Sequence, residues 1–198
     1  MKDRTVIVDY KAGNLTSVRL AFDALGAETI VTSDPEAVRA ASRVVFPGVG
    51  AAASAMANLR ALGLTEVVRE AAVTRPFLGI CLGMQILFEH SEEDGGVDML
   101  GVLPGRVRRF PDRPGFKVPE IGWNQVYGLA MDGVPDGSEF YFVHSYYAEK
   151  GPDTLGVTEY AGVSFSSAVR RGRLLATQFH PEKSGKLGLA LLKEFLSC

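Results

Sequence analysis

At Gly79-Ile80-Cys81-Leu82-Gly83 a cysteine stands midway between two glycines, after the apolar run Pro76-Phe77-Leu78 and before residues of helical character, Met84 to Phe88. A strand turning sharply into a helix would present the thiol at the turn, the geometry of a nucleophile elbow with sulfur in place of oxygen. The glycines leave room for strained backbone and for the helix to pass close to the strand. A thiol at a helix start also meets the positive end of the dipole and free N–H groups, which favour the thiolate. The competing reading is a buried, inert cysteine, the commonest fate of a free thiol.

A cysteine nucleophile needs a base and a group that orients the base. Three histidines are available. His90 is expected near the end of the helix after the elbow, where a cation suits the negative end of the dipole, and it reads as structural. His144 ends the run Tyr141-Phe142-Val143 and could either line a cleft or satisfy a core hydrogen bond. His180 follows the strand pattern Leu174 to Phe179; Pro181 stiffens the turn behind it and Glu182 stands two residues on. A carboxylate at that spacing can hold one ring nitrogen while the other faces the thiol. Thiol attack on an amide or ester carbonyl generates an oxyanion that backbone N–H groups must meet. Leu82 at the helix start can supply one, and Gly48-Val49-Gly50, after another strand, a second. No glycine-rich phosphate loop occurs, and the pattern requires neither a cofactor nor a metal.

These groups need elements to hold them. Arg4 to Tyr10, Thr29 to Thr32, Arg43 to Phe46 and Phe77 to Ile80 read as strands, the first with the near-continuous apolar character of a strand buried on both faces. Helices fall between them: one capped by Asn14, with Leu15, Val18, Phe22 and Leu25 on one face and Gly26 closing it; a short one opened by Ser33-Asp34-Pro35; an Ala-rich segment after Gly50; and Leu64 to Thr74. This alternation predicts an α/β fold: an open, doubly wound, mostly parallel sheet with helices on both faces. Ligands collect beyond the carboxyl ends of such strands, where Tyr10, Pro47 to Gly50 and Cys81 all fall. Past about residue 96 the pattern changes to additional, antiparallel strands (Val102–Phe110, Ile121–Val126, Glu139–Val143, Thr154–Tyr160, Val163–Arg170, Leu174–Phe179), and a last helix carries Leu187, Leu191, Leu192, Phe195 and Leu196.

With 198 residues, 46% of them hydrophobic, the chain is expected to form a single domain spanning residues 1–198. Met1-Lys2-Asp3-Arg4 leads directly into a strand pattern, and no apolar run approaches the roughly 20 residues that span a bilayer, so no membrane is expected as a partner. Two cysteines, Cys81 and Cys198, are too few for a disulfide framework and suit a reducing, cytoplasmic setting. Twenty-one basic against 23 acidic residues, without a long block of either, leave no electrostatic footprint for nucleic acid.

Gly-Ile-Cys-Leu-Gly-Met-Gln at 79–85 with His-Pro-Glu at 180–182 resembles the class I (triad) glutamine amidotransferases. Asp9-Tyr10 with Gly13-Asn14, Pro47-Gly48-Val49-Gly50, Gly122-Trp123-Asn124, Tyr141 to Tyr146 and His180 to Ser184 extend that resemblance, from end to end of the chain, to the glutaminase subunits of imidazole glycerol phosphate synthases. The resemblance implies the flavodoxin-like fold of that family. It also implies hydrolysis of L-glutamine to glutamate and ammonia, with ammonia passed to a (β/α)₈ cyclase subunit in a heterodimer serving histidine biosynthesis. Cys81 would form the glutamyl thioester, His180 act as base and acid, and Glu182 orient His180. Val49 and Leu82 would form the oxyanion hole, Gly48, Gly50, Gln85, Ser145 and Tyr146 the glutamine site, and Asn14, Trp123 and Lys183 the partner interface and ammonia gate. Lys11, Ala52, Glu120, Ile121 and Gly185 depart from the family pattern, and none touches the triad. The rival readings are the glutaminase of another class I system, such as pyridoxal phosphate synthesis, and a catalytically silent α/β regulatory module.

Overall fold

The computed structural model describes residues 4–197; Cys198 and the Met1-Lys2-Asp3 lead lie outside the described residues. The first half runs β1 (Thr5–Val8), α1 (Leu15–Asp23), β2 (Thr29–Thr32), α2 (Pro35–Arg39), β3 (Arg43–Gly48), α3 (Ala52–Ala61), α4 (Thr65–Thr74), β4 (Phe77–Cys81) and α5 (Leu82–Gln85). The second half is richer in strands. It contains β5 (His90–Ser91), β6 (Val97–Asp98), β7 (Arg106–Arg109), β8 (Glu120–Val126), β9 (Ser138–His144), β10 (Tyr146–Ala148), β11 (Thr154–Tyr160), β12 (Val163–Arg171) and β13 (Leu174–Thr177), before α6 (Gly185–Leu196).

Strands β2-β1-β3-β4-β13 lie side by side and parallel. Every residue of β1, β4 and β13 is buried, as their apolar runs require of strands covered on both faces. From β13 the sheet continues through β12, β10 and β7 with antiparallel pairing, and β11 pairs with β12. Strands β8 and β9 form a ladder of their own. The expected fold class is thus the one observed.

Each face of the parallel sheet has its own core. Val6, Val8, Val44 and Phe46 pack with Val38, Leu59 and Val68 of the helices on one side. Ile7, Val45, Leu78 and Ile80 pack with Phe22, Leu192 and Phe195 on the other. Asn14 caps α1 by accepting from the Ser17 N–H, Asp34 caps α2, and an edge-on Phe22–Phe195 contact at 6.2 Å joins α1 to α6.

One expectation is corrected. His90 does not end a long helix after the elbow: α5 stops at Gln85, and His90 lies in β5 with Nδ1 2.8 Å from Asp98 Oδ1. The cause is local. The Ile86, Leu87 and Phe88 carbonyls, which would continue the helix, instead accept from the N–H groups of Leu100, Val102, Leu103 and Gly101. Among the described residues no helix is long and apolar enough to cross a membrane.

Candidate active site

Cys81 ends β4 and caps α5 with φ 54° and ψ −113°, a conformation that a non-glycine residue holds only when its surroundings impose it. The packing does so. Strands β3 and β13 clamp β4 from both sides, with Gly48 opposite Cys81 in the β3–β4 register. Immediately after the thiol, α5 crosses so close to β3 that a side chain at Gly83 would overlap the Phe46 carbonyl. A side chain at Gly48 would likewise meet the hydroxyl of Tyr10, whose ring is fully buried beneath it.

His180 leaves β13 two residues after Gln178 and is fixed at both ends. Its N–H donates to the Tyr141 carbonyl at 2.9 Å, and its own carbonyl accepts from Ser184 Oγ at 2.6 Å; that same hydroxyl accepts from the Tyr141 N–H. Pro181 opens a short 3₁₀ turn that folds Glu182 back, placing Oε1 2.8 Å from His180 Nδ1. The side chains of both are nearly fully buried. Since the carboxylate can only accept, Nδ1 carries the hydrogen, and Nε2 is left without a hydrogen-bond partner. Burial works against the charged imidazole, but direct interaction with Cys81 and with Glu182 outweighs it and pushes His180 up to about 10.

Beside the thiol lies a cavity of about 230 Å³ lined by Val49, Gly50, Cys81, Leu82, Gln85, Glu93, Val143, His144, Tyr146 and His180. The structure therefore gathers seven of the residues singled out from sequence around one space: Val49, Gly50, Cys81, Leu82, Gln85, Tyr146 and His180. Glu182 stands behind His180. Gly48 and Ser145 do not line the cavity; the Ser145 carbonyl accepts from the Phe110 N–H instead. Asn14 caps α1, away from the cavity. Trp123 is 55% exposed on β8, so it is not a core tryptophan, and Lys183 places its Nζ 5.8 Å from the centre of the Tyr141 ring.

Three participants escaped sequence reasoning. Gln178 is fully buried and points Nε2 at Cys81 Sγ, 3.7 Å away, while its Oε1 accepts from Gln85 Nε2 at 2.9 Å. Its position two residues before His180 was the available signal. The Val143 carbonyl lies 3.9 Å from the thiol. Glu93 brings a carboxylate to the cavity wall and accepts from the Ala52 N–H at 2.6 Å; burial raises its pKa, with the Ala52 hydrogen bond opposing and Asp94 adding to the rise. His144, left open by the sequence, does both things: it lines the cavity and holds the Tyr146 carbonyl through Nδ1 at 2.7 Å. Among the described residues no group of three His, Cys, Asp or Glu side chains is placed to hold a metal ion.

A strained thiol beside a carboxylate-held imidazole, open to a small cavity, is an arrangement for acyl transfer. Comparisons with known proteins agree. The family model for glutamine amidotransferase class-I matches residues 6–197. The chain is 51% identical to imidazole glycerol phosphate synthase subunit HisH of Dehalococcoides mccartyi strain CBDB1, over 96% of this chain and 94% of that protein. It is 50% identical to the subunit of the same name from Moorella thermoacetica, over 96% and 92%. Among solved structures, a glutamine amidotransferase superposes with a TM-score of 0.75 at 21% identity, covering 97% of each chain. PurLQS from Thermotoga maritima gives a TM-score of 0.73 at 16% identity, over 100% and 99%; at these identities the likeness is one of fold. This chain belongs to the class I glutamine amidotransferase family, and within it to the imidazole glycerol phosphate synthase HisH subunits.

Proposed function

We propose that the chain is the glutaminase of an imidazole glycerol phosphate synthase, hydrolysing L-glutamine to glutamate and ammonia. The observation that carries this reading is the buried His180–Glu182 pair presenting an unpartnered ring nitrogen to the Cys81 cavity. In the reaction, His180, whose raised pKa keeps it charged at neutral pH, holds the Cys81 proton, and the thiolate sulfur attacks the carboxamide carbon. The carbonyl oxygen becomes an oxyanion facing the N–H groups of Val49 and Leu82. His180 then returns the proton to the departing nitrogen, the C–N bond breaks, and ammonia leaves a glutamyl thioester on Cys81. Water, deprotonated by His180, attacks the thioester; glutamate departs and the thiol is restored. Glu182 holds Nδ1 throughout and stabilises the imidazolium. Glu93, the acidic side chain in the cavity wall, complements the α-ammonium of glutamine, and Gln85, Tyr146 and Gly50 shape the rest of that end.

Ammonia protonates and disperses in water, so a synthase has to deliver it directly. The partner in this reading is a cyclase subunit, a (β/α)₈ barrel docked around Trp123, Lys183 and Asn14, with the heterodimer working in the cytoplasm. Co-purification with a candidate cyclase, followed by a glutaminase assay with and without the cyclase's ligand, tests it. Glutamate release that requires Cys81 and rises with the cyclase is expected; no release in either state overturns the reading.

A further inference from the structure

Glu120 is a buried acid that does not line the Cys81 cavity. It sits at the start of β8, opposite His144 in the β8–β9 register. Its Oε1 accepts from Asn124 Nδ2 at 2.8 Å, and Asn124 donates as well to the Glu159 carbonyl. Its Oε2 lies 3.0 Å from His144 Nε2, and neither atom has an aligned hydrogen-bond partner. The two side chains are 4% and 2% exposed.

His144 continues the connection. Because a carbonyl oxygen can only accept, the 2.7 Å contact from Nδ1 to the Tyr146 oxygen puts the ring hydrogen on Nδ1. The same oxygen accepts from Gln85 Nε2 at 2.8 Å; Gln85 also donates to Gln178 Oε1, and Gln178 Nε2 approaches the Cys81 sulfur. A file of polar groups, the Tyr146 main-chain carbonyl among them, thus runs from Asn124, beside the exposed Trp123, to the nucleophile.

We infer that Glu120 and His144 are positioning residues that tie the Gly122-Trp123-Asn124 segment to the glutamine site through the Tyr146 carbonyl and Gln85. His144 lines the cavity on one side and touches Glu120 on the other, so a shift of β8 that moves Glu120 moves the ring holding Tyr146. Tyr146 and Gln85 share one carbonyl-centred junction, so that movement reaches both walls of the glutamine end. The inference rests on the glutaminase reading.

Alkylation of Cys81 by iodoacetamide, with L-glutamine as protectant, separates the two. If glutamine does not protect the wild-type thiol, the glutaminase reading fails. If it protects wild type, Glu120→Ala should require about tenfold more glutamine for half protection, the scale of one lost hydrogen bond. Glu120→Gln should restore it to within about threefold, because the amide oxygen still accepts from Asn124 and its nitrogen can donate to His144 Nε2. A folded Glu120→Ala protected like wild type, or a Glu120→Gln no better than Glu120→Ala, overturns the inference. A second measurement covers an Ala variant that does not fold. In Cys81→Ala, where glutamine binds without turnover, titration with glutamine should shift the side-chain amide NMR signals of Asn124; signals that stay fixed at saturation overturn the inference too.

Discussion

Gly83 faces the Phe46 carbonyl across a gap with no room for a methyl group, at the point where α5 leaves the nucleophile strand. The neighbour is backbone in the middle of β3, so it cannot step aside as a side chain would. Gly83→Ala should therefore cost about 1–3 kcal/mol from overpacking, read as a lower urea midpoint, and should distort the Leu82 N–H and so lower glutamine turnover. Unchanged stability together with unchanged turnover would show that the elbow is looser than this contact implies.

Cys81→Ala is expected to abolish glutamine hydrolysis without loss of fold or of cyclase binding. With ammonia supplied directly, the complex should still make product, because only the nitrogen source is lost. Turnover within tenfold of wild type by the Ala variant would remove Cys81 from the mechanism.

His180→Asn should reduce glutaminase kcat by about 10²- to 10⁴-fold, the usual contribution of a general base, and Glu182→Gln by less, since the carboxylate acts through the imidazole. His144→Asn is the control. Should it prove more damaging than His180→Asn, the assignment of the base is wrong.

The imidazole of His180 is raised from the ordinary 6.5 to about 10. A folded-state value above the unfolded one means that the paired imidazolium stabilises the protein fully below about pH 6.5, and that this stability fades as pH rises through about 10. Urea titrations near pH 6 and near pH 10.5 should show wild type losing more stability over that rise than His180→Asn does. Parallel losses would mean that the pair contributes no such linkage.

Trp123→Ala and Lys183→Ala should leave the isolated chain folded, because Trp123 is largely exposed and Lys183 is exposed, with its Nζ 5.8 Å from the centre of the Tyr141 ring. In the complex they should reduce glutamine-dependent synthesis more than ammonia-dependent synthesis. Equal loss in both assays, or loss in neither, would show that these side chains do not couple the two subunits.

The parallel half of the fold was legible because its strands are short and mostly apolar, while Asn14, Asp34-Pro35 and Gly26 punctuate the helices. Cys81 stood out because two glycines flank it, and His180 because Pro181 and Glu182 come directly after it. The early end of α5 was not legible. Met84 to Phe88 has helical spacing, and only the return of residues 100–103 to its carbonyls ends the helix; a contact that remote leaves no local trace. Gln178 and Glu93 were hidden for a related reason, since their value lies in reaching Cys81 and Ala52 across the fold. His144 could not be resolved from sequence because its contact with Glu120 crosses the β8–β9 ladder and leaves no local trace.

Strand β13 pairs with β4 although Gln178 lies 97 residues beyond Cys81, and it carries the chain to His180. During translation, at about 5–20 residues per second, the nucleophile precedes its base by roughly 5–20 s. A nascent chain in that interval has the elbow's residues but neither His180 nor its orienting Glu182, and for most of it no β13 to clamp the strained turn. Without His180 and Glu182, the thiol of a half-made copy has neither its base nor the group that orients it.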